Sequence, residues 1–317
     1  MKFGGKSLGS HEKMFNICKF IKKAYKNDNE LIVVVSAMGK STDELVHLAN
    51  EFGNGKLSKR ELAVLLSCGE TQSSALLSIM LEGMGVPAKS FQGYQLGIRT
   101  FGGYDNGRIA YINKTALKRC LDEKIVAVVS GFQGINRNEE ITTLGRGGSD
   151  TTAAAIGAIF EKDVEIYSDF DGVFAGDPRD LNFKKLKNID FNSMISMSNG
   201  GAKVIDTRAS ELAKNFDIKL ISKSSSEPEK QGTTISSLEY DVVSLSTIDH
   251  LSQVTITISN TERFEKVLNN VIFCLKKVKF YNFSAKPKKI TFLINSCDRT
   301  EIINKLANKL NLVKKRS

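Results

Sequence analysis

Apolar residues in this chain recur at two spacings, and together they predict strands alternating with helices. The unbroken runs at 31–35 (LIVVV) and 125–129 (IVAVV) have the length and β-branched content of buried strands. Elsewhere the spacing is helical. Phe15, Ile17, Cys18, Phe20, Ile21 and Tyr25 mark one side of a helix over 11–25, and Ser41 with Glu44 and Ser58 with Glu61 read as capping boxes opening two more. The second of these runs to Leu66, is interrupted at Ser67-Cys68-Gly69-Glu70, and resumes through Leu76, Leu77, Met80, Leu81 and Met84. Residues 86–112 read as strands and hairpins, 113–123 as a helix and 164–167 as a strand. A helix is expected from Gly200 with Lys203 in its first turn, where a cation is unfavourable unless an anion is close. Short strands at 218–222 and 233–235 follow. Beyond about residue 240 the order is strand (254–258), helix (262–275), two strands (278–283 and 289–295) and helix (299–310), a βαββα module.

The stretch 141–155, ITTLGRGGSDTTAAA, stands apart from this regular pattern. Gly145, Gly147 and Gly148 surround Arg146, and Ser149-Asp150-Thr151-Thr152 leads into an alanine-rich helix. Glycines let backbone approach a ligand closely, and the Ser-Asp-Thr start is expected to leave several helix N–H groups pointing outward as an anion site. Arg146 supplies a fork suited to a carboxylate, and Asp150 a charge that could meet an amine or steady a lysine. The apolar run at 125–129 precedes it, so the loop is expected beyond the carboxyl end of a parallel strand, where open α/β sheets bind ligands. The spacing is neither that of a P-loop nor that of a dinucleotide fold. Two other stretches have chemical character. Lys2-Phe3-Gly4-Gly5 is a phosphate-type loop before a helix, and 168–179 holds three acids, two glycines and a Pro-Arg, readable as a metal or nucleotide loop or as an Asx-rich turn. Glu70, set in apolar sequence, is either an ordinary helix acid or an acceptor for a ligand's ammonium group.

Composition narrows the picture. With 317 residues, 41% hydrophobic and 25% charged, the chain suits one large and one smaller globular domain. Its five cysteines are scattered and never spaced CxxC, which indicates neither a disulfide framework nor a zinc site and points to a reducing, cytoplasmic setting. No unbroken apolar stretch approaches membrane-spanning length, so no membrane association is expected. The net charge of +10 is concentrated late, residues 240–317 holding 14 lysines and arginines against 6 acids. These alternate with an apolar pattern and lack stacking aromatics, so they read as a solvated face rather than a nucleic-acid surface.

Taken in order, Lys2-Phe3-Gly4-Gly5, VVVSAMGKSTDEL (33–45), SCGE ending at Glu70, SGFQG, the 141–155 stretch, IYSDFDGVFAGDPR and GAKVI closely resemble the aspartokinases of the amino acid kinase family. The resemblance spans roughly residues 1–236. It implies an α/β fold, a three-layer αβα sandwich around a mostly parallel sheet (1–238), with a single incomplete α+β module of ACT type (239–317) that would bind effectors and help form a homodimer. It further implies that ATP, with Mg2+ held mainly by its phosphates, phosphorylates the side-chain carboxylate of L-aspartate, the first step toward lysine, threonine and methionine. Matching positions are Lys2, Phe3, Gly4, Gly5, Ser36 and Lys203 around the phosphates, and Ser168, Asp169, Phe174, Asp177, Pro178 and Arg179 around the rest of ATP. Thr42, Asp43, Glu44, Glu70, Phe132, Arg146, Gly147, Gly148, Ser149 and Asp150 match the aspartate pocket, with Lys2, Lys203 and Asp150 at the reacting groups and no protein metal site.

This sequence departs from the family at Lys6, where a threonine is usual, at Phe174, where a tyrosine is usual, and at Asp206-Thr207, where His-Pro is usual. Lys2 also lies close to the start of the chain, where the family has several strand residues. Two alternatives follow: a catalytically weak, ligand-binding regulatory paralogue, and a kinase of glutamate or acetylglutamate.

Overall fold

The computed structural model describes residues 1–27, 30–202, 204–248, 253–276 and 278–314. Lys203, expected near the phosphates, lies outside the described residues. Chain contacts divide it into two compact units, Met1–Asp171 with Lys223–Gln231, and Gly172–Ser222 with Gly232–Ser317. The boundary expected at 238–239 falls inside the second of these.

In the first unit, β1 (Lys2–Phe3), β2 (Ile32–Val35), β3 (Ala88–Phe91), β6 (Val126–Ser130) and β9 (Val164–Ser168) lie side by side, all parallel, in the order β9-β1-β2-β6-β3. The register sets Phe3 beside Val35 and Tyr167, and Val35 beside Ser130, so four strands end together. Their loops therefore open on one edge. Val33 and Val35 pack on α1 (His11–Lys26) and α3 (Lys59–Gly83) in one cluster with Phe3, Ile21, Leu81 and Tyr167. The other face, which carries Val34, is covered by α5 (Gly148–Phe160). Burial on both faces is why β2 and β6 read as unbroken apolar runs instead of alternating. Alternation persists where it matters: Phe3 stacks on Tyr167 at 4.7 Å on the α1 and α3 face, while Lys2 points the other way.

Three local expectations change. Helix α2 (Ser41–Phe52) starts at Ser41 itself, with Lys40 as the cap residue and no side-chain capping bond, so the Ser41–Glu44 box does not form. The Ser58 box does cap α3, accepting from the Glu61 N–H at 3.4 Å. Helix α3 then runs unbroken for 25 residues through Ser67–Glu70. Its hydroxyls fold back on the helix, Ser67 to the Val64 carbonyl (2.7 Å), Thr71 to Ser67 (2.9 Å) and Ser73 to Gly69 (3.0 Å), so they do not compete with it. By length and apolar composition α3 could cross a membrane, but here one side packs against α1, α2, β3 and β6. Between β6 and the glycine loop, the chain makes β7 (Gln133–Ile135) and β8 (Ile141–Thr143), which join β4 (Arg99–Phe101) and β5 (Arg108–Tyr111) in a small sheet. The loop thus follows a small-sheet strand, not β6 directly.

In the second unit, β10 (Asn188–Asp190), β12 (Thr233–Ser236) and β11 (Leu220–Ser224) form adjacent strands, the first pair parallel and the second antiparallel. The helix expected from Gly200 is replaced by two. Helix α6 (Phe191–Asn199), unforeseen, ends at Gly200 and Gly201, the latter at φ +109, and α7 (Thr207–Asn215) begins only after Asp206, whose carboxylate caps Arg208 N–H at 3.0 Å. The βαββα order is present as β14 (Gln253–Ile258), α8 (Phe264–Leu275), β15 (Phe280–Lys286), β16 (Lys289–Ile294) and α9 (Arg299–Lys309). An unforeseen β13 (Val243–Ile248) makes a four-stranded antiparallel sheet, β13-β14-β16-β15. Val254, Ile256 and Ile258 pack with α8 and α9, while Thr257 meets Ser196 of α6 at 3.0 Å on the opposite face. The Val243-Ser244-Leu245-Ser246 alternation of β13 is the local signal of that strand.

Leu81 is fully buried between α3 and the first sheet. Leu81→Ala is expected to remove about 2–5 kcal/mol of stability, as read from urea unfolding.

Candidate active site

At the common carboxyl edge of β1, β2 and β6, an open cleft of about 320 Å³ is lined by Lys2, Gly5, Lys6, Ser36, Ala37, Gly39, Thr42, Glu70, Phe132 and the run Gly145–Asp150. Lys2 leaves β1 almost buried, and its Nζ lies 2.7 Å from Asp150 Oδ1, each side chain only 11% exposed. Desolvated charges of this kind persist because each is the other's partner.

The loop after β1 is a single 3-10 turn, Gly5–Leu8, uncapped by any side chain. Such a turn leaves its leading N–H groups without intrahelical acceptors. A side chain at Gly5 would strike the Ala37 carbonyl, its Cβ falling 2.4 Å from that oxygen, so glycine is obligatory. Ala37 presses equally on α3, where a Cβ at Gly69 would come within 2.8 Å of its own. That contact orients the next residue. Glu70 is 3% exposed, and its Oε1 accepts the Ala37 N–H at 2.9 Å, while Oε2 is buried with no hydrogen-bond partner among the described residues. Burial pushes its pKa up to about 7, against the opposing pull of the Ala37 N–H and of the Lys2 charge.

Arg146 is exposed at the cleft rim, between Gly145 and Gly147 at φ +73 and +72. Gly147, left-handed, is the cap of α5; a Cβ on Gly148 would meet Leu144 and Phe132 at 2.8 and 2.9 Å. The Ser-Asp-Thr start is therefore the first turn of the helix and not its cap. Gly148 and Asp150 amides bond back to Gly145 and Gly147 carbonyls, both at 3.0 Å. Of the first four amides of α5, only that of Ser149 lacks a backbone acceptor among the described residues, so the outward-pointing donors are fewer than expected. Phe132, itself at φ +68, donates its N–H to Thr152 Oγ1 at 3.1 Å.

Other positions singled out from sequence divide. Phe3 is wholly buried in the core; its contribution near the cleft is backbone, the carbonyl accepting Ser36 N–H at 3.2 Å. Gly4 N–H is bound to Tyr167 O at 3.1 Å. Thr42 lines the cleft, whereas Asp43 and Glu44 are exposed in the same first turn and outside its lining. Ser168 closes a local turn on Phe170, and Asp169 is ion-paired to Lys6 at 3.0 Å. Phe174, Asp177, Pro178 and Arg179 belong to the second unit. There Phe174 packs on the apolar cluster, and Arg179 hydrogen-bonds Asp177, chiefly at 2.6 Å, holding that carboxyl below its usual range; Pro178 is exposed between them. Sequence reasoning missed Ala37 and Gly39, which line the cleft, and the buried Ser74–Ser130 hydroxyl pair at 2.9 Å beneath Glu70. The SAMG string held the signal for the first two.

These features define an α/β protein of the parallel-sheet type with a cation-rich cleft at its strand ends. The amino acid kinase family profile matches residues 1–222. An aspartokinase of Geobacillus stearothermophilus is 46% identical over 236 residues, 74% of this chain and 58% of that protein. An aspartokinase of Bacillus sp. (strain MGA3) is 38% identical over 330 residues, 98% of this chain and 78% of that protein. Among solved structures, E. coli aspartokinase III in complex with aspartate and ADP (R-state) aligns at a TM-score of 0.84 and 19% identity, covering 98% of this chain and 99% of that one. The chain belongs to the amino acid kinase family and, within it, to the aspartokinases. It spans little more than half the length of several curated relatives, 58% of the Geobacillus protein and 54% of that from Rickettsia prowazekii (strain Madrid E).

The buried carboxyl of Glu70 makes stability depend on pH. Its folded pKa of about 7 exceeds the ordinary 4.5, so the folded chain holds a proton that the unfolded one releases between those values. Stability from this group is full below pH 4.5 and declines as pH rises to 7, by an order of ~3 kcal/mol. Glu70→Gln, which keeps an acceptor for Ala37, should erase that slope. Urea unfolding of both proteins at pH 5 and pH 8 checks it; an equal difference at both would show an unperturbed carboxyl.

Proposed function

We propose that this protein transfers the γ-phosphoryl group of Mg-ATP to the side-chain carboxylate of L-aspartate, giving 4-phospho-L-aspartate and ADP. The observation that carries the reading is the cleft itself. Lys2, Lys6 and Arg146 set three cations beside the carboxyls of Asp150 and Glu70, which suits a polyphosphate beside a zwitterion. The relatives' printed names, and the aspartate and ADP held by the E. coli protein, support the same substrates.

An aspartate side chain, with an ordinary pKa of about 3.9, is already ionised at neutral pH, so the attack needs no general base. Catalysis then reduces to alignment and charge neutralisation. Lys2, fixed by Asp150, would stabilise the transferring phosphoryl group together with the amides of the Gly5 turn, and Lys203 is assigned the same task from the resemblance. Arg146 would take the substrate's α-carboxylate and the free Glu70 oxygen its α-ammonium. Magnesium enters as part of the nucleotide substrate. Ser36 and Gly4 would frame the phosphates. Ser168, Asp169, Phe174, Asp177, Pro178 and Arg179 would meet the rest of the nucleotide, and Thr42, Phe132, Gly147, Gly148 and Ser149 the amino acid. An N-acetylated substrate would offer Glu70 no ammonium, and the relatives named give no support to a glutamate kinase or an inactive paralogue. Residues 239–317 we assign to an ACT-like module pairing two copies, with Phe280 and Tyr281 exposed on edge strand β15. Sedimentation velocity would then report a dimer; a monomer at micromolar concentration would remove that assignment.

ADP release that requires both Mg-ATP and L-aspartate tests the reaction, and release without aspartate dependence would refute it. Lys2→Ala should lower kcat roughly 100- to 1000-fold. Arg146→Ala should act mainly on KM for aspartate, raising it by about tenfold or more.

A further inference from the structure

Lys6 lines the cleft and adds to its positive charge, yet the mechanism above gives it no individual task. It follows the Gly4-Gly5 backbone directly, and its ammonium is paired with Asp169 Oδ2 at 3.0 Å across 163 residues of sequence. Both side chains are open to solvent, 70% and 45% exposed, unlike the enclosed Lys2–Asp150 pair in the same cleft. The backbone beneath Lys6 is steadied independently, its carbonyl accepting from Lys13 Nζ at 3.1 Å. An exposed ion pair contributes only about 0–1 kcal/mol, so a ligand bearing several negative charges displaces a single carboxylate from such a lysine readily. The stem stays put while the tip is free to change partner.

The geometry points to Lys6 as a second, exchangeable phosphate-binding cation of the cleft: at rest it is held by Asp169, and it transfers its ammonium to the polyphosphate chain when the nucleotide binds. The inference rests on reading the cleft as a nucleotide site and adds a residue to it. Lys2 stabilises charge at the reacting group; Lys6 serves capture of the nucleotide. The exchange also uncovers the Asp169 carboxylate. Because the tip is solvent-exposed, its contribution is screened by salt more strongly than that of Lys2.

Binding is measured by calorimetry on the full chain, with ATP and with inorganic tripolyphosphate, which has the phosphates but no nucleoside. Lys6→Thr and Lys6→Gln are expected to weaken both ligands about tenfold, the low end for a hydrogen bond to a charged group, and Lys6→Arg to restore most of the loss. The wild type should lose affinity more steeply than Lys6→Thr between 50 and roughly 300 mM salt. In turnover, KM for ATP should rise in Lys6→Thr while KM for aspartate holds. A merely structural latch would also be kept by arginine, but its loss in Lys6→Thr and Lys6→Gln would not change the salt slope. Unchanged tripolyphosphate affinity in Lys6→Thr and Lys6→Gln overturns the inference, as does loss without rescue by arginine. Tripolyphosphate binding that depends on Lys6 in a protein without aspartate-dependent ADP release would support it while refuting the proposed reaction.

Discussion

The site depends on an ion pair set where water hardly reaches it. A two-residue strand, β1, carries Lys2 into the layer between the sheet and α5, and that lysine is tolerable there because Asp150 meets it at 2.7 Å. Much of the surrounding backbone follows from delivering that carboxylate. Helix α5 must begin within a residue or two of Asp150, hence the left-handed Gly147 cap, and its first turn must press on Phe132 and Leu144, hence Gly148. Gly131 yields in turn, since a Cβ there would sit 2.8 Å from that of Ser149. The glycines of this region are consequences of one electrostatic pairing.

A second constraint meets the first across the cleft. Ala37, at the end of β2, wedges between Gly5 and Gly69 and offers its N–H to Glu70. One oxygen of that carboxyl is thereby satisfied, and the other is buried without a hydrogen-bond partner among the described residues. The two acids of the cleft differ accordingly. Asp150 has a resident partner, and Glu70 has half of one.

Much of this was readable in the sequence because the relevant signals are local. Unbroken β-branched runs give β2 and β6, the glycine-arginine loop and the Lys2-Phe3-Gly4-Gly5 start give two walls of the cleft, and an acid amid apolar residues gives Glu70. What escaped depended on tertiary contact. Ser67–Glu70 looks like a helix break by composition, yet its hydroxyls bond to their own helix and Gly69 is small because Ala37 is adjacent. Strand β13 and helix α6, by contrast, carry local signals of their own, the Val243-Ser244-Leu245-Ser246 alternation and the helical spacing of Phe191, Met194 and Met197. At Gly200-Gly201 the sequence suggested a helix start, where the positive φ of Gly201 marks an end.

The unbroken course of α3 also fixes an angle. A helix turns by about 100° per residue, so the contact of Gly69 with Ala37 sets the azimuth of every side chain on that rod, including Glu70 one step on. Insertion or deletion of a single residue between Ser58 and Gly69 would leave Glu70 held beside Ala37 and would turn the N-terminal part of the helix by about 100° instead, carrying Ala63 away from its buried position.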